Sequence, residues 1–257
     1  MIKKQNFFLL FIVYLFTLFV VKQAKSNDIG DRIVKYANAF IGTPYDRIPI
    51  GLYVQERKLI IDDEMDCMYF VFRTISLALA KGDNNKAQEI ACDKMFHDKC
   101  IFDEKGFVSN YQNRFEYSED MIASGKWGKS IFNKNEMSKL KGSRMYKEFY
   151  YVKSDDFVGN QKFQKKIKNG DILFLYKYPE KRSKAQEAIG HLGILEVDKK
   201  TKDIYFIHAS GNKCFKDKCF KQPNQGAVKK VLLNKYLQEK KEKFAGVDIG
   251  RVKKIIS

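Results

Sequence analysis

Hydrophobic residues recur at helical spacing in two segments of the chain. The first segment, residues 28–41, has apolar positions at Ile29, Ile33, Ala37 and Phe40/Ile41. The second begins at Asp66-Cys67, continues through Phe70-Val71-Phe72 and Leu77-Ala78-Leu79-Ala80, and stops at Gly82. Apolar side chains three or four residues apart form one face of an amphipathic helix, and a glycine commonly follows a helix end. The pattern therefore predicts helices over residues 28–41 and 67–80.

The C-terminal third has short β-rich segments that are bounded by turn residues. They are residues 171–177, 191–197, 203–209 and 227–233, with a helix expected at 234–243 and a closing strand at 246–256. Residues 83–165 are polar and rich in lysine, and we expect only two or three short helices and loops there. Helices followed by an antiparallel sheet predict the α+β fold class, with the helices packed on the sheet.

The N-terminus has the layout of a secretory signal peptide. Two lysines precede an apolar run from Phe7 to Val21, and the small residues Ala24 and Ser26 follow it. An uncleaved membrane anchor is the alternative, but 15 residues at 1.5 Å rise are shorter than a hydrocarbon core of about 30 Å. We predict a signal peptide at 1–26 and one exported domain at 27–257, periplasmic or secreted. That domain has no second run long enough for a stable membrane span.

The chain is strongly basic, with a net charge of +17 from 48 Lys+Arg and 31 Asp+Glu. Removal of residues 1–26 takes away four lysines and no acid, so the exported part carries 44 minus 31, or +13. Such a charge favours a polyanionic partner: nucleic acid, a membrane surface or a cell-wall polymer. The charge is diffuse and dominated by lysine, and no nucleic-acid motif accompanies it, so we expect no nucleic-acid partner.

Five cysteines leave at least one thiol unpaired. Cys92 and Cys100 are eight residues apart, and Cys214 and Cys219 are five apart. Close pairs in an oxidising compartment can form local disulfides, although four cysteines allow three connectivities. We predict the two local bridges, which leave Cys67 as the free thiol.

Two of the three histidines, His191 and His208, lie on neighbouring predicted strands. A turn at Asp198-Lys199-Lys200-Thr201 would pair residues whose numbers sum to 399, and 191 plus 208 is 399. The two histidines would then be cross-strand neighbours, with Cβ atoms about 4.5–5.5 Å apart. They would share one sheet face with Gly193, Leu195, Val197, Ile204 and Phe206, and the helix at 67–80 would pack on that face. His97, the third histidine, is expected to be an exposed loop residue.

Cys67 and the two histidines could together cleave an acyl bond. The first turn of a helix favours a thiolate, and an imidazole can both accept its proton and protonate a leaving group. A second polar group fixes the tautomer of the first ring. The alternatives are a buried packing cysteine, structural histidines, or a zinc site. Because the three residues lack a close ligand-spacing motif, we predict no metal and no cofactor.

Five short motifs occur in order along the chain. They are Gly42-Thr43-Pro44-Tyr45, Asp66-Cys67, Gly170-Asp171-Ile172, Gly190-His191-Leu192-Gly193-Ile194 and Ile207-His208-Ala209-Ser210. This series resembles the NlpC-like superfamily of cell-wall cysteine peptidases and amidases, whose fold is papain-like. The resemblance implies a papain-like (NlpC-type) domain with the cysteine at a helix N-terminus.

A subfamily of NlpC-like N-acetylmuramoyl-L-alanine amidases, formerly a domain of unknown function, is more similar still. Its D-C-x-T-F-V-E and R-x-H-Y-x-x-D-W patterns resemble residues 66–72 and 114–121, and its C-terminal T-G-I-R-V pattern resembles residues 246–252. This chain departs from them at four positions: Tyr69 for Thr, Phe72 for Glu, Glu116 for His and Met121 for Trp.

The resemblance implies a role for each site residue. Cys67 would be the nucleophile and a backbone oxyanion donor, His191 the general base and acid, and His208 the orienting group. Tyr45, Asp66 and Tyr117 would belong to the substrate cleft. The implied substrate is peptidoglycan or a muropeptide, cut between N-acetylmuramic acid and L-Ala. A stem-peptide endopeptidase cutting a D-Glu–diamino acid bond, and a non-catalytic cell-wall binding protein, are the alternatives.

Overall fold

The computed structural model describes residues 28–252 except residue 143, and of residue 218 it describes only the backbone. Within these residues, an antiparallel sheet of eight strands forms the centre of the fold. The strands are β1 Lys129–Ser130, β2 Ser138–Lys141, β3 Glu148–Lys153, β4 Ile172–Lys177, β5 Ile189–Val197, β6 Ile204–Ser210, β7 Ala227–Leu232 and β8 Phe244–Arg251. Their order across the sheet is β2-β3-β8-β4-β5-β6-β7, and β1 pairs with the end of β8. The predicted signal peptide and the last residues of the predicted closing strand lie outside the described residues.

Helices cover both faces of this sheet. They are α1 Ile29–Ala39, α2 Leu52–Gln55, α3 Cys67–Leu79, α4 Asn84–Lys94, α5 Ser118–Ser124, α6 Ser154–Gly159, α7 Gln161–Gln164, α8 Asp217–Phe220 and α9 Leu233–Glu239. Single 3₁₀ turns occur at Tyr111–Asn113, Lys134–Glu136 and Pro179–Lys181. Both strongly periodic segments, residues 28–41 and 67–80, form helices close to their predicted limits. No helix among the described residues is long and apolar enough to cross a membrane.

The ends of α3 follow from its sequence. The Asp66 carboxylate accepts a hydrogen bond from the Tyr69 N–H at 2.8 Å, which caps the N-terminus. At the other end Lys81 and Gly82 adopt positive φ, and the Gly82 N–H donates to the Leu77 carbonyl at 2.9 Å. This is the Schellman arrangement, with Lys81 in the left-handed position directly after the helix and Gly82 following it. Both ends of α3 are therefore fixed, including the end that carries Cys67.

Two hydrophobic cores lie on opposite faces of the sheet, because successive strand residues alternate between faces. On one face, α1 and α3 pack against Leu192, Ile194 and Ile207. On the other, α9 packs on β6 and β7 beside Leu195 and Phe206, and α6 packs on β3 and β8. The prediction that the helix at 67–80 packs on the layer of Leu195 and Phe206 is therefore wrong. Those side chains meet Leu233 and Leu237 of α9 instead.

The middle region contains strands that the sequence pattern did not predict. Residues 83–165 form the hairpin of β2 and β3 and the short strand β1, in addition to helices. Because β3 and β1 both pair with β8, the closing strand lies inside the sheet, between these strands and β4. The described chain is a mixed α+β single domain with an antiparallel sheet.

Candidate active site

Cys67 is the first residue of α3 and faces a cleft. Burial raises the pKa of its thiol to about 12, and the neighbouring Asp66 carboxylate adds to this rise. Lys213, the Leu192 N–H and the N–H of Cys67 itself act in the opposite direction by stabilising a thiolate. The resting side chain is therefore a neutral thiol whose sulfur already faces a cation and two backbone donors.

His191 and His208 are hydrogen-bonded to each other on one face of the sheet. Nε2 of His191 lies 2.7 Å from Nδ1 of His208. Their strands pair in a register in which opposed residues sum to 401, as in Ile194 opposite Ile207 and Val197 opposite Ile204. The predicted sum of 399 is wrong by two, because the connecting turn is centred one residue later. The Asp198 N–H closes it on the carbonyl of Asp203 at 2.8 Å.

Gly193 allows the two imidazoles to meet. In the observed register it stands beside His208, so His191 and His208 are diagonal neighbours rather than directly opposed. A Cβ at residue 193 would lie 2.9 Å from the His208 Cβ and 2.4 Å from the Ile207 carbonyl oxygen. A shift of two residues keeps both histidines on the same face. The predicted pair therefore forms despite the error in register.

Aromatic rings enclose the histidine pair. Phe206 stacks on His208 with ring centroids 4.4 Å apart, and Tyr236 of α9 lies 5.0 Å from the same ring. Burial lowers the pKa of His191 well below its usual value and lowers that of His208 to about 4. Both imidazoles are therefore neutral at pH 7. Nε2 of His208 has no hydrogen-bond partner within the described part of the chain.

The start of α3 meets the strand that carries His191. The pairing of β5 with β6 begins at Ile194, and the N–H of Leu192, just before it, faces the sulfur of Cys67. Leu192 directly follows His191. In addition, β5 contains a bulge, since Leu175 pairs with His191 and Tyr176 with Ile189, which leaves Gly190 as the extra residue. The bulge, together with the start of β5, which is not paired with β6, places the His191 segment against the N-terminus of α3.

Lys213 joins two buried acids beside the thiol. Its ammonium lies 3.1 Å from Oδ2 of Asp66 and 3.5 Å from Oδ2 of Asp46, and 5.5 Å from the centroid of the Tyr45 ring. Burial lowers the pKa of Lys213, but the two carboxylates outweigh burial and the net pKa is raised. The lysine stays charged and balances the two acids near Cys67.

The cleft in front of Cys67 has a volume of about 450 Å³. Among its lining residues are the predicted Tyr45, Asp66 and Tyr117, together with Arg114, Glu116, Glu187 and Lys213. The guanidinium of Arg144 covers the ring of Tyr117 at 3.7 Å. Tyr45 is largely buried, and its carbonyl accepts from the Asn224 side chain at 2.8 Å. The structure thus brings all three predicted cleft residues to the cavity of Cys67.

The four remaining cysteines form the two local disulfides, Cys92–Cys100 and Cys214–Cys219, and Cys67 is the free cysteine of the described chain. The second bridge lies beside the cleft. The Cys214 N–H donates to the carbonyl of Arg47 at 2.7 Å, and the Arg47 guanidinium donates to the carbonyl of Cys219 at 3.1 Å. This loop therefore fixes Lys213, which directly precedes Cys214. His97 is exposed and packs its edge on Phe115.

Sequence reasoning missed three residues of the site: Asp46, Lys213 and Tyr236. The sequence offers one indication of Lys213: this residue directly precedes Cys214, a predicted disulfide cysteine in the loop after His208. Asp46 follows the predicted Tyr45, and Tyr236 lies on the predicted C-terminal helix. No periodic pattern distinguishes these residues from surface positions. Only the folded arrangement brings them to the thiol and the histidines.

Solved structures share this fold over most of the chain. An N-acetylmuramoyl-L-alanine amidase from Bacteroides uniformis aligns with a TM-score of 0.63 and 18% identity, over 88% of this chain and 99% of that one. A Legionella pneumophila protein of the DUF1460 family aligns with a TM-score of 0.61 and 17% identity, over 90% and 91%. A Bacteroides fragilis protein proposed to be a xylanase aligns with a TM-score of 0.57 and 20% identity, over 85% and 99%.

These similarities, all below 25% identity, establish the shared fold. No protein-family model matches the sequence, and a comparison with curated protein sequences finds no match. A structural likeness to an N-acetylmuramoyl-L-alanine amidase and to a DUF1460 protein agrees with part of the resemblance found in the sequence. The NlpC-like and papain-like assignments stay predictions.

Proposed function

We propose that this protein is a peptidoglycan hydrolase that cleaves the amide bond between N-acetylmuramic acid and L-Ala with Cys67 as its nucleophile. The observation that carries the proposal is the position of the thiol. The sulfur of Cys67 faces the N–H of Leu192, the residue next to His191, and His191 is hydrogen-bonded to His208 at 2.7 Å. Acyl transfer requires a thiol that an imidazole can reach, and the proposal assigns that imidazole to His191.

One tautomer of the hydrogen-bonded histidine pair gives the proton positions that this reaction needs. If Nε2 of His191 donates to Nδ1 of His208, then Nδ1 of His191 carries a lone pair and can accept the thiol proton. His208 then holds its own proton on Nε2. The stacking of Phe206 on His208 keeps the second ring in the plane that this hydrogen bond requires. His208 thus acts as a positioning residue for His191.

The proposed reaction has two steps. The sulfur of Cys67 attacks the lactyl carbonyl of N-acetylmuramic acid while His191 takes the thiol proton and passes it to the leaving amine of L-Ala. The peptide departs and a thioester remains on Cys67. Water, deprotonated by His191, then hydrolyses the thioester, releases the muramic carboxylate and restores the thiol. The N–H of Cys67, at a helix start, is a candidate donor to the oxyanion of each step.

The fold neighbours support the choice of substrate, because the B. uniformis protein is itself an N-acetylmuramoyl-L-alanine amidase. The two disulfides fit an exported protein, the compartment in which peptidoglycan is found. The proposal therefore retains the predicted substrate, a muropeptide or peptidoglycan, and the predicted export through residues 1–26.

Digestion of purified muropeptides tests this function. We expect the protein to release free stem peptides that begin with L-Ala, as identified by mass spectrometry, and Cys67→Ala to release none. Products that end in D-Glu would assign the protein as an endopeptidase instead. The same lysis of peptidoglycan by wild type and Cys67→Ala would contradict a cysteine mechanism.

A further inference from the structure

Arg114 presents an unbalanced positive charge to the cleft of Cys67. It follows the 3₁₀ turn Tyr111–Asn113, is half-buried and lines the cleft. Its guanidinium donates to the carbonyl of Tyr111 at 3.2 Å. Within the described residues no carboxylate oxygen lies within 4.0 Å of it, whereas Arg57, Arg73, Arg144 and Arg251 all have one. Most of the donors of Arg114 are therefore available to a ligand.

The other charged groups of the cleft are already balanced or solvated. Lys213 is held by Asp66 and Asp46. Glu187 pairs with Lys177 and also accepts from a serine hydroxyl. Glu116 is exposed at the rim. Arg114 is thus the cleft cation whose charge the described protein leaves for a bound anion.

A guanidinium recognises a carboxylate with two parallel N–H···O bonds, and partial burial strengthens this contact because it removes competing water. The substrate class proposed above contains such a group. The second residue of the stem peptide, D-Glu, is joined through its γ-carboxyl group, so its α-carboxylate is free unless the cell amidates it. This carboxylate lies on the peptide side of the bond to be cut.

We infer that Arg114 binds the free α-carboxylate of the second stem-peptide residue and makes the enzyme selective for muropeptides that are not amidated there. The inference rests on the proposed function, because it takes the stem peptide as the ligand. It assigns Arg114 to substrate specificity and gives it no part in bond cleavage.

The test compares two N-acetylmuramoyl peptides that differ only in a carboxylate or a carboxamide on the second residue. We expect the wild type to prefer the carboxylate at least about tenfold in kcat/KM, mainly through KM. Arg114→Gln should bring this ratio close to one by weakening the reaction of the carboxylate form. Arg114→Lys should keep part of the preference, since it retains the charge but loses the paired donors.

Arg57→Gln is the matched control. Arg57 is exposed, pairs with Asp103 and does not line the cleft, so this variant makes the same change in net charge away from the site. It should keep the full preference of the wild type. An unchanged ratio in Arg114→Gln, or a wild type without preference, would overturn the inference while leaving the hydrolase function standing.

A binding measurement covers the case in which Arg114→Gln fails to fold or no muropeptide is cleaved. Cys67→Ala keeps every charge of the cleft, and calorimetry can measure its Kd for both muropeptides. We expect the carboxylate form to bind at least about tenfold more tightly, and equal Kd values would overturn the inference. Tight binding of the carboxylate form without cleavage by the wild type would refute the proposed function alone.

Discussion

At Cys67 and His191, burial keeps both reacting groups neutral. The thiol has a raised pKa and the imidazole a lowered one, so neither a thiolate nor an imidazolium is present at rest. The proton must then move from sulfur to nitrogen as the bond to carbon forms. In the proposed mechanism, the neutral form of His191 is therefore the form that carries activity.

The pH dependence of hydrolysis follows from the directions of these two pKa shifts. As the proposed base, His191 acts only when neutral, and its lowered pKa places protonation below pH 6.5. We expect kcat/KM to be constant from pH 6.5 to 8 and to fall only as the pH drops through the lowered pKa. A pH–rate profile measured on a muropeptide checks this. An acidic midpoint at or above pH 6.5 would contradict a buried, neutral base.

Lys213 should determine how easily Cys67 ionises. Its ammonium lowers the pKa of the thiol, so Lys213→Met should raise that pKa further. A rise of about one unit reduces the thiolate fraction tenfold, and we expect alkylation by iodoacetamide at pH 8 to slow by about that factor.

Lys216→Met is the control for the same loop, because Lys216 is exposed and lies beyond the disulfide residue Cys214. Its alkylation rate should match that of the wild type. If both variants behave alike, the effect is one of overall charge and Lys213 has no special position.

Among the elements, the β5–β6 hairpin determines where the two histidines of the candidate site lie. Strand periodicity predicted that both histidines share a face, and this holds for any even shift in register. It could not fix the register itself, because a lysine-rich turn contains no residue that specifies its centre. It also assigned α3 to the wrong face, since Leu192 and Ile194 on one face of β5 and Leu195 on the other are all apolar and buried.

Gly193→Ala tests the close approach of this hairpin. The new Cβ would lie 2.4 Å from the Ile207 carbonyl oxygen and 2.7 Å from the Phe206 ring. We expect a loss of about 1–3 kcal/mol in unfolding free energy, the usual cost of overpacking, and a decrease in kcat as the histidine pair is displaced. Thermal unfolding and turnover measure the two effects. A variant with wild-type Tm and kcat would show that the glycine has no packing role.

For the whole molecule, the sequence indicated the fold class and most of the C-terminal sheet, because those strands are strongly apolar and bounded by turns. The strands of residues 129–153 escaped prediction because they are short and mix lysines with tyrosines, as in Glu148–Lys153. The cleft was predictable only in part. Cys67, His191 and His208 are chemically distinctive, whereas Asp46 and Lys213 gain meaning only from their neighbours in the fold.

The two disulfides and the free Cys67 predict the thiol content of the protein. Titration of the denatured, unreduced protein with a disulfide reagent should detect one thiol, and the reduced protein should show five. The single thiol should disappear after treatment of the folded protein with iodoacetamide. Three or five thiols before reduction would exclude one or both disulfides, and with them the fixed loop beside Lys213.

The mass of the covalent intermediate tests most directly whether Cys67 is the nucleophile that cleaves the bond to N-acetylmuramic acid. Wild-type protein mixed with an N-acetylmuramoyl peptide and quenched in acid should carry an adduct on Cys67 equal to the muramoyl acyl group, and Cys67→Ala should carry none. An adduct equal to a peptide acyl group would contradict the bond assignment. Rapid hydrolysis with no adduct on Cys67, and undiminished hydrolysis by Cys67→Ala, would contradict the nucleophile itself.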